Sequence, residues 1–313
     1  MIAVIGWIAV ALMGGLVATQ LGGWTGRREI AALQALTPYF LAPALPICVL
    51  ALVTRHWALA GTAGAVALVL VILSWPLVFR PGQHAPLAGS MPLRVFHGNL
   101  MYYNPRPNEI PAALGALDVD VLAFTEYTAE HAAILLASPL AGRYPYRIEY
   151  PEPDSGGSAI WSRHELSEID MPDWRYRPSA AVVQAAETVT LFVVHPHSPI
   201  VTTAGWHEEL GHLMTVGRDA NGPIMMIGDF NASYWHPRFR RLLGVGWRDA
   251  HQLTGNGFAT SWPTDVRLIP PYVLIDHALV NDGLIVAGVT GVDIPGSDHR
   301  GFLVDVSVAA RVS

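Results

Sequence analysis

The first quarter of the chain leaves few folds open to it. Met1 to Leu21, Ala35 to Val53 and Trp57 to Phe79 are apolar stretches without a charged residue. Each is near the ~20 residues that a helix needs to cross a bilayer, so they read as three transmembrane helices. Trp7, Trp24, Trp57 and Trp75 lie mostly toward the ends of these stretches, at the level where amphipathic rings meet headgroups. Pro38, Pro43 and Pro46 are expected to bend the second helix, and the short link Thr54-Arg55-His56 to fold the second and third into a tight hairpin. A cleaved signal peptide is the alternative for the first stretch, but it lacks a basic start and two more spans follow. The mean hydropathy of +0.33 agrees with a membrane protein. So does a charged fraction of 14%, against roughly 25% in soluble domains.

The pattern changes after residue 80. Pro81 to Pro92, PGQHAPLAGSMP, reads as a linker. From Leu93 onward come short β-type runs, LRVFHGNL, DVLAFTE, SAIWS, VTLFVVHP, PIMMIGD, VLIDHALV and GFLVDVSV, with helical stretches near Glu130 to Ser138 and Gly205 to Gly217. The division expected is an anchor over 1–80, a linker over 81–92 and a mixed α/β catalytic domain over 93–313. Arg27, Arg28, Arg55 and Arg80 stand against Glu29, so the first 90 residues carry +3 and the formal net of -6 leaves -9 for the rest. An acidic domain opposes a phosphate backbone, which makes nucleic acid an unlikely partner. The single cysteine, Cys48, lies in an apolar stretch, so the polar part has no disulfide, no cysteine zinc site and no thiol nucleophile.

Several apolar runs end in polar residues that can do chemistry: Asn99, Glu126, His195, Asp229 with Asn231, Asp276, and Asp298 with His299. Any one of them alone is more often a turn former or a satisfied hydrogen-bonding group. Together they offer carboxylates, amides and imidazoles with no sulfur, a donor set for a hard cation such as Mg²⁺ or Mn²⁺. Imidazoles beside such a cation suit phosphate chemistry, and metal-assisted phosphoester hydrolysis is the reaction class this suggests.

GDFN, the Glu of FTE, the Asn of HGN, the His of VVHPHSP, GSAIWSR, IDHALV and GSDHR occur in the order and spacing of the endonuclease/exonuclease/phosphatase superfamily, which the chain from Leu93 to Ser313 resembles. The resemblance implies a deoxyribonuclease I-like, four-layer α/β sandwich of two mixed sheets flanked by helices. It also implies roles. Glu126 is the main Mg²⁺ ligand, with Asn99 beside it holding the metal or a phosphate oxygen, and Asp298 completes or supports the metal site. Asp229 orients and deprotonates the attacking water, while Asn231 and His195 bind the phosphate. His299 contacts the scissile phosphate and Asp276 fixes its tautomer. Arg163 and Arg300 are candidates for phosphate contact, with structural ion pairing as the equal alternative. Trp262 is expected in the core or a pocket wall, and His207 and His212 at the surface.

Three substrate readings compete: a lipid phosphate, DNA or a sphingomyelinase-type phosphodiester, and no substrate at all in a silent membrane adaptor. Three spans followed by this domain resemble teicoplanin-resistance membrane proteins of the VanJ type, and TSWP, IPP and IPGSDHRG reinforce the similarity. That resemblance implies a phosphatase for undecaprenyl pyrophosphate, hence antibiotic resistance and cell-wall synthesis, in a multi-pass plasma-membrane protein whose catalytic domain faces outward. Arg27, Arg28 and Arg80 on one side against Arg55 on the other argue for the cytoplasm instead. Long domains translocate largely regardless of such counts, so the outward orientation is the expectation.

Overall fold

A computed structural model of the chain describes residues 2–83, 85–170, 179–219 and 222–310. Five helices come first: α1 (Ile2–Gly22), α2 (Arg28–Ala35), α3 (Thr37–Leu41), α4 (Ala44–Val53) and α5 (Trp57–Val78). Among the described residues, only α1 and α5 are single helices long and apolar enough to cross a membrane. The second expected stretch, Ala35 to Val53, is no such helix: the segment Thr37–Val53 qualifies only together with the preceding α2, which meets it at 75°, so two helices are candidate spans, or up to three candidates if the bent pair counts as one. Proline chemistry explains the break. Pro38 has no N–H for the carbonyl of Gln34, and the Thr37 hydroxyl donates to that carbonyl instead at 2.7 Å. The α4–α5 hairpin forms as the sequence suggested, close enough for Cys48 Sγ to reach Ala60 O at 3.3 Å.

The rest of the chain alternates strands and helices. The first half gives β1 (Leu93–Asn99), α6 (Ile110–Gly115), β2 (Val121–Thr125), α7 (Ala129–Leu136), α8 (Leu140–Arg143), β3 (Tyr146–Tyr150), β4 (Ser158–Ser162) and β5 (Glu165–Glu168). The second gives β6 (Ser179–Gln184), β7 (Thr188–Val194), α9 (Thr203–Asp219), β8 (Ile224–Asp229), α10 (Pro237–Leu243), β9 (Arg248–Asp249), α11 (Ala250–Leu253), β10 (Asp276–Val280), β11 (Leu284–Asp293) and β12 (Arg300–Val308). They form two six-stranded sheets, β11-β12-β1-β2-β4-β3 and β5-β6-β7-β8-β10-β9. Both are mixed: β1 runs parallel to β2 and β7 to β8, and the other pairs are antiparallel.

Burial accounts for the strand sequences. Every residue of β2, β4, β8 and β10 is buried, as continuous apolar runs require when both faces of a sheet are covered. Val95, Val121, Ile160, Leu191, Val193, Ile227 and Ala278 close the space between the sheets. The outer face of the first sheet packs under α6, α7 and α8, through Phe124, Leu114, Leu135 and Leu140. The outer face of the second packs under α9 and α10, through Met226, Trp206, Leu210 and Phe239. The order of layers is therefore helix, sheet, sheet, helix.

The anchor is bonded to this sandwich. Gln20 donates to Trp235 O at 2.9 Å and accepts from Arg240 at 2.8 Å. His207, expected at the surface, reaches Thr25 O at 3.0 Å. The linker is pinned too, since Gln83 exchanges two bonds with the backbone of Val286. His236 accepts the Ser233 N–H at Nδ1 and donates from Nε2 to Ala31 O at 3.0 Å, so both ring nitrogens are used in the neutral form.

Burial pushes the pKa of His236 down to about 4, and that of the equally buried His251 to about 4 as well. In the unfolded chain these imidazoles take up a proton near 6.5, so between that value and 4 the unfolded state binds more protons and stability rises with pH. Acidification from pH 7 to pH 4 is therefore expected to remove stability on the order of 3 kcal/mol for each of the two. Thermal unfolding of the detergent-solubilised protein across that range measures it, and His236→Gln should flatten the slope by about half.

Candidate active site

The strand ends that carry polar residues lie together because of how the strands pair. Parallel β1 and β2 end at Asn99 and Thr125, which are register partners, and the next residue is Glu126. Parallel β7 and β8 pair Val194 with Gly228, so the next residues, His195 and Asp229, emerge side by side. Antiparallel β10 starts at Asp276 opposite Asp229, and antiparallel β12 starts just after His299. Gly228 matters here: a Cβ on it would collide with the carbonyl of Val194, so only glycine lets β7 approach this closely. Glu126 and Asn231 turn the chain at φ of 54° and 48°, a left-handed conformation that Asn tolerates and Glu rarely adopts.

Asn99 links the two sheets. Its Nδ2 donates to Glu126 Oε1 at 3.1 Å and to Asp229 Oδ2 at 3.2 Å, while its Oδ1 accepts from Met101 N. With the amide nitrogen toward the carboxylates, Asn99 bridges Glu126 of one sheet and Asp229 of the other at the centre of the site. Glu126 also accepts from Tyr102 N at 2.9 Å, and Asp229 accepts from Asn231 N at 2.8 Å. Asn231 donates its side-chain amide to Pro196 O at 3.0 Å.

The imidazoles are held by acids and carbonyls. His299 Nδ1 lies 2.8 Å from Asp276 Oδ2, which fixes the proton there and turns Nε2 toward Asp229 Oδ2 at 3.7 Å and Asp298 Oδ1 at 4.0 Å. Burial opposes charge on His299, but Asp276 and then Asp229 outweigh it and raise its pKa to about 10. Burial alone would raise Asp276, yet its imidazole partners hold this carboxyl well below the usual range. One partner is His97, fully buried, with Nε2 3.2 Å from Asp276 Oδ1. His195 donates from Nδ1 to Ser155 O at 3.0 Å and presents Nε2 to Asp229 at 3.5 Å. Its pKa is raised, the Asp229 carboxylate prevailing over desolvation. Asp298 accepts the indole N–H of Trp262 at 3.1 Å.

Glu126, His195, Asp229, Asn231, Asp298 and His299 line one cavity of about 420 Å³, with Trp262 in its wall. Both arginines stand elsewhere. Arg163 pairs with Asp118 at 2.9 Å, beside Ser162, the register partner of Val121 at the far end of β2 from Glu126. At ~3.3 Å per residue that is about 13 Å from the site edge. Arg300 pairs with Asp293, its register partner on β11, at 2.8 Å. Neither lines the cavity, so neither is placed to bind substrate. His97 escaped the sequence reading, although strand alternation puts it on the same face as Asn99 and so could have found it.

The donor set fits a divalent cation. Asp229, Asp276 and His299 offer ligand atoms within 4.8 Å of one another. Glu126, Asp229 and Asp298 present their carboxylates to the cavity, whereas Asp276, bonded to two imidazoles, does not line it. A site of carboxylate oxygens with two negative groups bridged by one amide favours a hard cation such as Mg²⁺ or Mn²⁺.

The model of the Endonuclease/Exonuclease/phosphatase family matches residues 93–299. None of the curated proteins compared with the chain matches it. Among solved structures, TDP2 of D. rerio complexed with single strand DNA product is 14% identical, with a TM-score of 0.58 over 69% of this chain and 99% of that one. An AP endonuclease from Archaeoglobus fulgidus is 14% identical, with a TM-score of 0.56 over 68% of this chain and 98% of that one. An endonuclease/exonuclease/phosphatase family protein from Bacteroides thetaiotaomicron is 16% identical, with a TM-score of 0.57 over 73% and 100%. At these identities the likeness is one of fold.

His299→Ala should lower kcat for phosphoester hydrolysis by about 10²–10⁴-fold, and because it strips the buried Asp276 of one imidazole partner the unfolding midpoint should fall as well, so kcat is read on the folded fraction. His97→Phe, which removes one donor from Asp276, should cost on the order of 10-fold, and His97→Gln should recover part of it. Steady-state kinetics with parallel melting curves check both, and full activity in His299→Ala would remove the histidine from the reaction.

Proposed function

This chain belongs to the Endonuclease/Exonuclease/phosphatase family, and from that membership we propose that it is a divalent-metal-dependent phosphohydrolase whose substrate is a lipid phosphate or pyrophosphate. The best candidate is undecaprenyl pyrophosphate. The observation that carries the lipid assignment is where the anchor meets the site. Tyr39 of α3 donates to Tyr272 O at 2.9 Å, and Tyr272 lines the cavity that holds His195, Asp229 and His299. A site bonded to the membrane segment meets substrates at the bilayer surface at high effective concentration.

Each residue has a part in this reading. Asp229 accepts the proton of the attacking water, and Asn231 and His195 bind the phosphate. His299, held charged by Asp276, lends its Nε2–H to a phosphate oxygen as negative charge grows there. His97 keeps Asp276 ionised and aligned, and is a positioning residue. Glu126 and Asp298, with Asn99 beside Glu126, are the residues that would hold the metal, which when bound offsets phosphate charge. The catalytic unit runs over 93–313, the anchor over 1–80, and the domain faces outward from the plasma membrane.

A second reading, a membrane-tethered nuclease, draws on the DNA product bound to D. rerio TDP2. The -9 charge beyond residue 90 opposes it. Phosphate release from the purified full chain with Mg²⁺, offered undecaprenyl pyrophosphate, sphingomyelin, inositol phosphates and DNA, separates the two. Turnover of the polyprenyl substrate, lost in EDTA and restored by Mg²⁺, is the expected result. DNA cleavage outpacing lipid turnover would sink the lipid reading.

A further inference from the structure

The cavity before the active site is lined by two unlike sets of residues. One set is the carboxylates and imidazoles. Its lining also takes in Ala32, Ala35 and Leu36 at the break between α2 and α3, and Ile200 and Val201 from the loop after β7. None of these five side chains has a polar atom. Ile200 and Val201 are 52% and 79% exposed, an adjacent apolar pair left open to solvent five and six residues beyond His195. A phosphate ester of a small polar alcohol gains nothing from such a wall, whereas an apolar chain lying on it leaves water.

The wall is fixed in relation to the chemistry. Ala31, next to Ala32, is fully buried and its carbonyl accepts from His236. Gln34, also fully buried, donates to Trp24 O at 3.0 Å and accepts from Thr25 at 2.7 Å, which ties α2 back to the end of α1. Helix α2 thus has polar bonds on both sides, with small alanines where it meets the cavity. Its small side chains leave the cavity open, and larger ones at 32 and 35 would fill it.

We propose that the apolar part of the cavity lining binds the first part of a lipid phosphate's hydrocarbon chain, making the segment between the two candidate spans a substrate-selecting wall as well as an anchor. This rests on the lipid-phosphate reading above. The headgroup lies against His195, Asn231 and His299, and the chain runs along Ala32, Ala35 and Leu36 and along Ile200 and Val201.

The test uses the full chain in detergent micelles with two substrates, a long polyprenyl pyrophosphate and p-nitrophenyl phosphate. Ala35→Trp should lower kcat/KM for the polyprenyl substrate relative to p-nitrophenyl phosphate by about 10-fold or more, the size of effect that pocket shape exerts on apolar groups. An unchanged ratio overturns the wall, whether both activities persist or both fall together through misfolding. A second measurement needs no variant: a diazirine-bearing polyprenyl phosphate should label residues 28–41 or 198–202 of the native protein, and labelling confined to α1 and α5 overturns the proposal. Failure of the underlying reading shows separately. There the native protein releases phosphate from p-nitrophenyl phosphate but from no lipid, and the wall falls with it.

Discussion

The dry interface between the two sheets is the constraint on which the rest depends. Val95, Val121, Leu191, Val193, Ile227 and Ala278 face one another across it, from strands that carry site residues at their ends. Once those side chains interlock, the strands cannot slide, because a shift of one residue would turn the apolar set outward. The ends of β1, β2, β7 and β8 and the starts of β10 and β12 are then held along one edge. Loops on such an edge inherit the rigidity of the core beneath them, which is what a site of several converging charges requires.

Convergence has an electrostatic cost that the site meets locally. Glu126, Asp229, Asp276 and Asp298 gather in a small volume with His195 and His299 among them. Asp276, fully buried, is stabilised by two imidazole donors, and Asp229 and Glu126 share the amide of Asn99. The remaining negative charge at the mouth is of the kind that suits a hard cation. A charged His299 and an acidic mouth are opposite demands, and the proximity of Asp276 reconciles them by placing a compensating charge behind the ring.

Much of this was legible in the strings of residues. GDFN, FTE, VVHP, ID and SDHR each pair a buried strand with a polar end, and alternation is enough to put Asp229 and Asn231 in one neighbourhood. The arginines stayed open between phosphate contact and ion pairing because WSRH and DHRG place them next to strand ends without saying which end or which face. Arg163 follows β4 at the end remote from the site, and Arg300 pairs along β11, where Asp118 and Asp293 neutralise them. Asn99 lies beside Glu126, as its strand end suggested, but that it also reaches Asp229 depends on how the two sheets pack. His207, taken for a surface residue, is bonded to an anchor carbonyl 182 residues away in sequence.

By itself, the sequence determined the apolar character of the first 80 residues, the α/β pattern beyond them and the residue types of the site. Those follow from local periodicity and from chemistry that a residue carries wherever it stands. Only the tertiary structure decided that α2 meets the second apolar stretch at 75°, that α2 docks on the α/β domain, and that its alanines line the cavity. The physical reason is that these depend on long-range complementarity. A proline shows where a helix can break, but the angle of the break and the surface it turns toward are set by partners such as His236 and Tyr272, more than 200 residues along the chain.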